Sequence, residues 1–273
     1  MTSLSLVSAA QDANPAAARL ITVASGKGGV GKTWFSITLA HALSAARRRV
    51  LIFDGDLGLA NVDIQLDLTP TRDLGHVLSG RSSMADAITP FRDASAQHAG
   101  FDVLAGKSGS GALGNLRRDR IGQLGNELLS VAERYDDVIL DLAAGIDSAT
   151  TQLAGLGGQV FVVLTADPTS LTDAYAFIKV LRTRAPGVDI RIVVNQATNR
   201  HEGEATFETI RKSCAAFLKF SPQLAGVIPR DPKVVEAIRH QQPLMGKFPQ
   251  SSAAKAVAAI VEKRAKERPV RVG

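Results

Sequence analysis

Apolar positions in this chain fall into short continuous runs, separated by longer segments of helical period. Leu20–Ala24, Val50–Phe53, Asp137–Asp141, Gln159–Thr165, Ile190–Asn195 and Ala225–Ile228 are β-prone runs. A strand with one wet face alternates apolar and polar positions. Most of these runs do not, which predicts strands buried on both faces of a parallel sheet. Between them, Thr33–Ala46, Arg120–Arg134, Ser148–Leu156, Thr172–Arg184 and Glu204–Phe217 carry helical periodicity. Pro232–His240 and Ser251–Lys266 read as two closing helices, and Pro232 suits a first helical turn. The alternation predicts an α/β fold: a doubly wound, mostly parallel sheet with helices on both faces. Residues 1–19, rich in Ala and Ser with Pro15, are expected to lie outside the core as a flexible segment. Residues 105–119 hold four glycines and are expected to form a mobile loop. The ordered domain is expected over 20–245, with a C-terminal helix and basic tail over 246–273.

Composition narrows the class. Of 273 residues, 45% are apolar and 21% charged, the balance of an ordinary folded domain. The single cysteine, Cys214, excludes an intrachain disulfide framework and fits a reducing cytosol. Aromatics at 5% argue against a stacking platform for single-stranded nucleic acid. The net charge of +6 gives a weak general attraction to phosphate or anionic lipid. The longest strongly apolar run, Val160 to Ala166, is far too short to span a bilayer, and the first ten residues have no basic region of a secretory leader. A cytoplasmic protein is expected.

The strongest chemical signal is Gly26-Lys27-Gly28-Gly29-Val30-Gly31-Lys32-Thr33, which matches G-x-x-x-x-G-K-[ST] between a predicted strand and a predicted helix. Its glycines let backbone N–H groups surround a phosphate chain, and the helix N-terminus adds its positive dipole end. Lys32 suits the β- and γ-phosphates, and the Thr33 hydroxyl suits Mg²⁺. A second lysine, Lys27, stands where it reaches its own nucleotide less readily than Lys32. It either points outward across a dimer interface or is a solvated surface charge.

Carboxylates follow at strand ends. Asp54 and Asp56 stand just after Val50–Phe53, on the edge that faces the ligand crevice of an open α/β sheet. Asp56 is placed to orient an attacking water or hold a magnesium-bound water. Asp54 does the same, or bonds loop backbone. Asp141 ends the run VILD, the pattern of a hydrophobic strand delivering one acid toward Mg²⁺, and Gly145 follows as a candidate γ-phosphate sensor. Asn195 ends IRIVVN, where an amide offers a donor and an acceptor to an adenine edge. Pro229 and Asp231 follow the last strand, and Pro229 is placed to pack beside the base.

SGKGGVGKT resembles the deviant Walker A motif of the MinD/ParA family of P-loop ATPases. DGDLGLANVDIQLDLTP (54–70), LDLAAGIDS (140–148), DPTSLTDAYAFIKVL (167–181) and VIPRDPKVVEAIRHQQPL (227–244) resemble segments of its flagellar FlhG (FleN) members, and the likeness spans residues 20–245. The resemblance implies ATP and Mg²⁺ as cofactors and an ATP-dependent homodimer in which Lys27 contacts the partner's nucleotide. It also implies an adenine pocket at Asn195, Pro229 and Asp231. The implied role is control of flagellar number or placement with an FlhF-type GTPase, basal-body components or a flagellar regulator. It implies recruitment to the inner face of the membrane too. Residues 251–273, however, are Ala-rich and then basic, and support only a weak contact with anionic lipid. Two positions depart from the family pattern: Gly55 stands where alanine is usual, and Leu142 where a hydroxyl residue is.

Two rival functions use the same scaffold. A ParA-type DNA-segregation ATPase needs a basic stripe for duplex DNA. Arg47, Arg48 and Arg49 are a candidate, but they sit where a helix C-terminus favours cations anyway, so no specific nucleic acid is expected. A nitrogenase-type iron protein needs two thiolates per subunit, and Cys214 alone argues against it.

Overall fold

The structure is a computed structural model that describes residues 15–56, 58–92, 100–106 and 118–267. In chain order the elements are β1 (Leu20–Ala24), α1 (Lys32–Ala45), β2 (Val50–Gly55), α2 (Val62–Gln65), α3 (Leu74–Leu78), β3 (Ile88–Arg92) and β4 (Gly100–Leu104). There follow α4 (Arg118–Ala132), β5 (Asp137–Leu142), α5 (Ser148–Ala154), β6 (Gln159–Leu164), α6 (Pro168–Arg184) and β7 (Asp189–Ala197). The chain closes with α7 (Arg200–Leu218), β8 (Gln223–Pro229), α8 (Pro232–Arg239), α9 (Leu244–Lys247) and α10 (Ser252–Glu267). The eight strands form one sheet in the order β3-β4-β2-β5-β1-β6-β7-β8. Every pairing is parallel except β3 with β4.

Successive strand residues feed opposite faces, which explains the continuous apolar runs. Leu20 and Ala24 of β1 enter one core cluster with Leu140, Val162 and Phe177, while Ile21 and Val23 enter the other with Phe35, Phe161 and Val257. Residues 15–19, expected outside the core, reach it in part. Ala16 and Ala17 are buried, and the Arg19 guanidinium donates to the carbonyls of Glu133 and Tyr135 at 2.9 and 2.6 Å. Small alanines hide this from a composition reading. The edge strand β3 and its neighbour β4 also go unread in the sequence. Both are short, β3 is mostly open to solvent, and it contains Pro90, tolerated at a sheet edge. Most of the glycine-rich loop expected over 105–119 lies outside the described residues, as do residues 1–14 and 268–273.

The C-terminal helix is integral to the fold and is not a detached tail. Ala253, Ala254, Val257, Ile260 and Val261 of α10 are all buried with α1 side chains in one cluster. Its far end is tied to the N-terminal edge of the sheet by a polar network. Arg264 Nε donates to Gln159 Oε1 at 3.0 Å, and its Nη2 lies 2.9 Å from Asp137 Oδ1. Arg48 shares the buried Asp137, while Arg191 joins Asp189 to Glu267. Val257, Ile260 and Val261 are the helix's only large apolar side chains, so none is left to enter lipid.

Gly55 and Leu142 are register partners on β2 and β5. A Cβ at Gly55 would lie 2.8 Å from Leu142 Cδ2 and 3.1 Å from Phe53 Cε1. The two departures from the family pattern are therefore one packing unit, in which the missing methyl makes room for the larger neighbour. Gly55→Ala is expected to cost roughly 1–3 kcal/mol by overpacking, and much less in a Leu142→Ala background. Denaturant unfolding of the four proteins of that cycle checks this; an equal cost in both backgrounds would mean that the methyl finds space elsewhere.

Candidate functional site

The site lies at the C-terminal edge of β1, β2 and β5. Parallel pairing sets Val23 and Asp54 on either side of Asp141, which places two carboxylates on adjacent central strands. The loop of residues 25–31 leaves β1 and leads straight into α1, whose first residues are Lys32 and Thr33. Lys32 is buried and donates to Ser25 Oγ at 3.0 Å, and Ser25 Oγ in turn donates to the Lys27 carbonyl at 2.7 Å. Burial pushes the Lys32 pKa down, and the charges of Asp141 and Asp56 push it back up. Asp141 accepts from Ser36 Oγ at 3.0 Å and from the Thr33 side chain. Thr33, Asp141, Asp56 and Lys32 are thus brought together as expected. A hydroxyl beside carboxylates is the oxygen donor set that suits Mg²⁺, which keeps several waters of its own.

Asp54 and Asp56 divide the roles that the sequence leaves open. Asp54 is wholly buried, and its Oδ2 accepts the backbone N–H of Asn61 and Val62 at 3.2 Å each, with Asp56 N on Oδ1 at 3.2 Å. It is the scaffold of the loop after β2. Asp56 is half-exposed, and among the described residues its Oδ1 accepts the Leu59 N–H at 3.0 Å, so it is the less committed of the two acids. Gly145 N donates to Ser25 O at 2.9 Å, which joins the loop after β5 to the loop after β1.

The remaining expected residues have other partners. The exposed Lys27 ammonium lies 2.9 Å from Asp167 Oδ2 and also donates to Thr169 Oγ1. Asn195 is buried, and its Nδ2 donates to Val30 O at 2.8 Å, so the nitrogen is spent on the loop backbone. Asp231 caps α8 through Lys233 N and accepts from Ser252 Oγ and Ala253 N at the start of α10. Its carboxylate holds two helices together. Pro229 ends β8, half-exposed, opposite Ala197. Ser25, Ser36, Asp167 and Thr169 were missed. Ser36 was findable, because it sits one helical turn beyond Thr33, and Asp167-Pro168 is a helix-start signal. The arginines weighed for DNA are largely neutralised: Arg48 pairs with Asp137 and Arg49 with Asp136.

Burial, then the neighbouring Asp141, push the Asp54 carboxyl up to about 8, and burial pushes Asp141 to about 6. A carboxyl whose folded pKa exceeds its unfolded value binds more protons when folded. Stability therefore falls as pH rises from about 4 to about 8, by at most ~1.4 kcal/mol per pH unit for one proton. The nucleotide-free protein is expected to melt at lower temperature at pH 8 than at pH 5, and Asp54→Asn to flatten that slope. Calorimetry across that range tests it; parallel slopes in both proteins would remove Asp54 as the cause.

Residues 21–244 match the CobQ/CobB/MinD/ParA nucleotide binding domain. The chain is 35% identical over 245 residues to the antiactivator FleN of Pseudomonas aeruginosa, covering 90% of this chain and 85% of that one. It is 30% identical over 195 residues to the flagellum site-determining protein YlxH of Helicobacter pylori, covering 71% of this chain and 63% of that protein. The solved cell division ATPase MinD of Pyrococcus furiosus matches with a TM-score of 0.75 at 26% identity, over 92% of this chain and all of that one. Septum site-determining protein MinD of Pyrococcus horikoshii, complexed with Mg-ADP, matches at 0.74 and 25%, over 91% of this chain and 96% of that one. The chain belongs to the CobQ/CobB/MinD/ParA family of nucleotide-binding domains and, within it, groups with the flagellar FleN and FlhG proteins.

Proposed function

We propose that the protein is an ATP-driven dimerisation switch that controls flagellar number or placement. The observation that carries this reading is the division of labour between two lysines five positions apart on the phosphate loop. Lys32 is buried among Ser25, Asp141 and Asp56, where it meets its own nucleotide's phosphates. Lys27 is exposed on the rim, held by Asp167 and Thr169, where a second copy can present a nucleotide to it. Thr33, with Asp141 close by, would hold Mg²⁺, which would supply charge neutralisation on the phosphates. Asp56 orients water for slow hydrolysis, and Gly145, bonded to Ser25, relays loss of the γ-phosphate to the loop after β5. The relatives' names support a flagellar role, and the partners in this reading are an FlhF-type GTPase, basal-body components or a flagellar regulator.

Two measurements test the switch. Asp56→Ala is expected to retain ATP, form a dimer with it, and lose turnover by about two orders of magnitude. Lys27→Ala is expected to bind nucleotide yet stay monomeric in light scattering. A Lys27→Ala protein that dimerises normally sinks the cross-subunit role.

Membrane contact follows from charge alone in this reading. No helix among the described residues is long and apolar enough to cross a membrane, and the apolar side of α10 is occupied by the core. With ATP, binding to anionic vesicles is expected to be modest and to disappear at high salt; sedimentation with neutral vesicles is expected to be negligible. Salt-resistant binding to neutral vesicles would reveal an apolar anchor outside the described residues.

A further inference from the structure

The chain has one tryptophan, and it sits immediately after the phosphate-loop threonine. Trp34 lies in the first turn of α1, three positions after Gly31. Helical side chains lean toward the N-terminus and cover the residue three or four positions before them. The Trp34 indole does this: a Cβ built on Gly31 would lie 2.4 Å from Trp34 Nε1. The same Cβ would lie 2.5 Å from Asn195 Nδ2. Gly31 has a φ of +95°, which an L side chain rarely adopts, so the loop's last turn depends on a glycine enclosed from two sides. Asn195 also grips the preceding carbonyl, with Nδ2 donating to Val30 O at 2.8 Å. Both jaws are buried: Asn195 is 1% exposed near the C-terminal end of β7, and Trp34 is 8% exposed, in one apolar cluster with Ala237 and Leu244.

We infer that Trp34 and Asn195 form a clamp on the Val30–Gly31 peptide that presets the phosphate loop before nucleotide arrives. Both are positioning residues. A glycine-rich loop left to itself spends binding energy on being ordered, and a loop held in its bound shape does not. The clamp therefore sets nucleotide affinity, while turnover is left to Asp56 and Lys32. This rests on nucleotide binding at the loop and is independent of dimerisation.

The test is calorimetric titration of the full chain with Mg-ADP, alongside steady-state ATP kinetics. Trp34→Ala is expected to weaken Mg-ADP binding about tenfold and to raise KM by a similar factor, with kcat within about twofold; Trp34→Phe, which keeps a ring over Gly31, is expected to stay within about threefold of the native affinity. Asn195→Ala is expected to weaken binding about tenfold too. Because the two jaws share one peptide, the double variant is expected to lose far less than the product of the single effects. A purely structural role would lower the melting temperature and leave Kd unchanged, which overturns the clamp. So would a loss confined to kcat, or single effects that multiply. Should the alanine variants fail to fold, Trp34→Phe and a fluorine NMR resonance from 5-fluorotryptophan in the native chain decide. One sharp resonance in the nucleotide-free chain upholds a clamp that is already set, and a resonance split or broadened between conformers before Mg-ADP is added overturns it. A native chain that binds no Mg-ADP at all overturns the nucleotide reading itself, whereas native binding matched by Trp34→Ala overturns only the clamp.

Discussion

The site is organised around two carboxylates that parallel strand pairing forces side by side in the interior. Asp54 and Asp141 are register partners, and neither has access to bulk water. Two such charges repel each other and lose hydration, and burial alone raises both pKa values. The surroundings offset this cost in different ways. Asp54 takes three backbone N–H groups from the loop after β2. Asp141 takes two hydroxyls from α1 and feels the charge of Lys32. What remains at the mouth of the phosphate loop at neutral pH is a mainly protonated Asp54 beside Asp141, with Lys32 and Asp56 close by.

That electrostatic centre was largely legible in the sequence, because each part carries a local signature. The glycine-rich loop, the apolar run ending in Asp141 and the DxD after β2 are each set by short-range order, and the strand and helix flanks agree with them. Six of the seven strands with a parallel partner coincide with apolar runs of the sequence, and β1, β2, β5 and β6 are buried at every position. The division between Asp54 and Asp56 was not legible, since either acid suits the edge of a sheet. It emerges only when the loop folds back and gives Asp54 its N–H donors. Likewise the pair β3–β4 lacks an unbroken apolar run, and the buried residues ahead of β1, Ala16 and Ala17, are alanines whose burial depends on what packs over them.

Side-chain partners explain the other departures. Asp231 and Asn195 read as adenine contacts from their strand-end positions, yet the carboxylate of one caps two helices and the amide nitrogen of the other holds the Val30 carbonyl. Position in the sheet is set by chain order, whereas the direction of a polar side chain is set by whichever donor or acceptor lies unsatisfied nearby. Gly55 and Leu142 show the same limit for packing. Each is an isolated oddity along the chain, and only the register of β2 on β5 makes one the reason for the other.

The C-terminal helix brings these constraints together. Its apolar stripe is committed to α1, its first turn to Asp231, and Arg264 near its other end to Asp137 and Gln159 beneath the central strands. Releasing it would expose a core cluster and strand Asp137 with one fewer cation, a cost of several kcal/mol for a broken buried pair. A surface contact that depends on freeing this helix is therefore disfavoured. The loops at the opposite edge of the sheet are held more lightly, Asp56 through Asp54 and Leu59, Gly145 through Ser25, and Lys27 at the surface by Asp167 and Thr169. Exposed pairs are worth little, about 0–1 kcal/mol, so the rim can rearrange at small cost while the body of the sheet and α10 stay fixed.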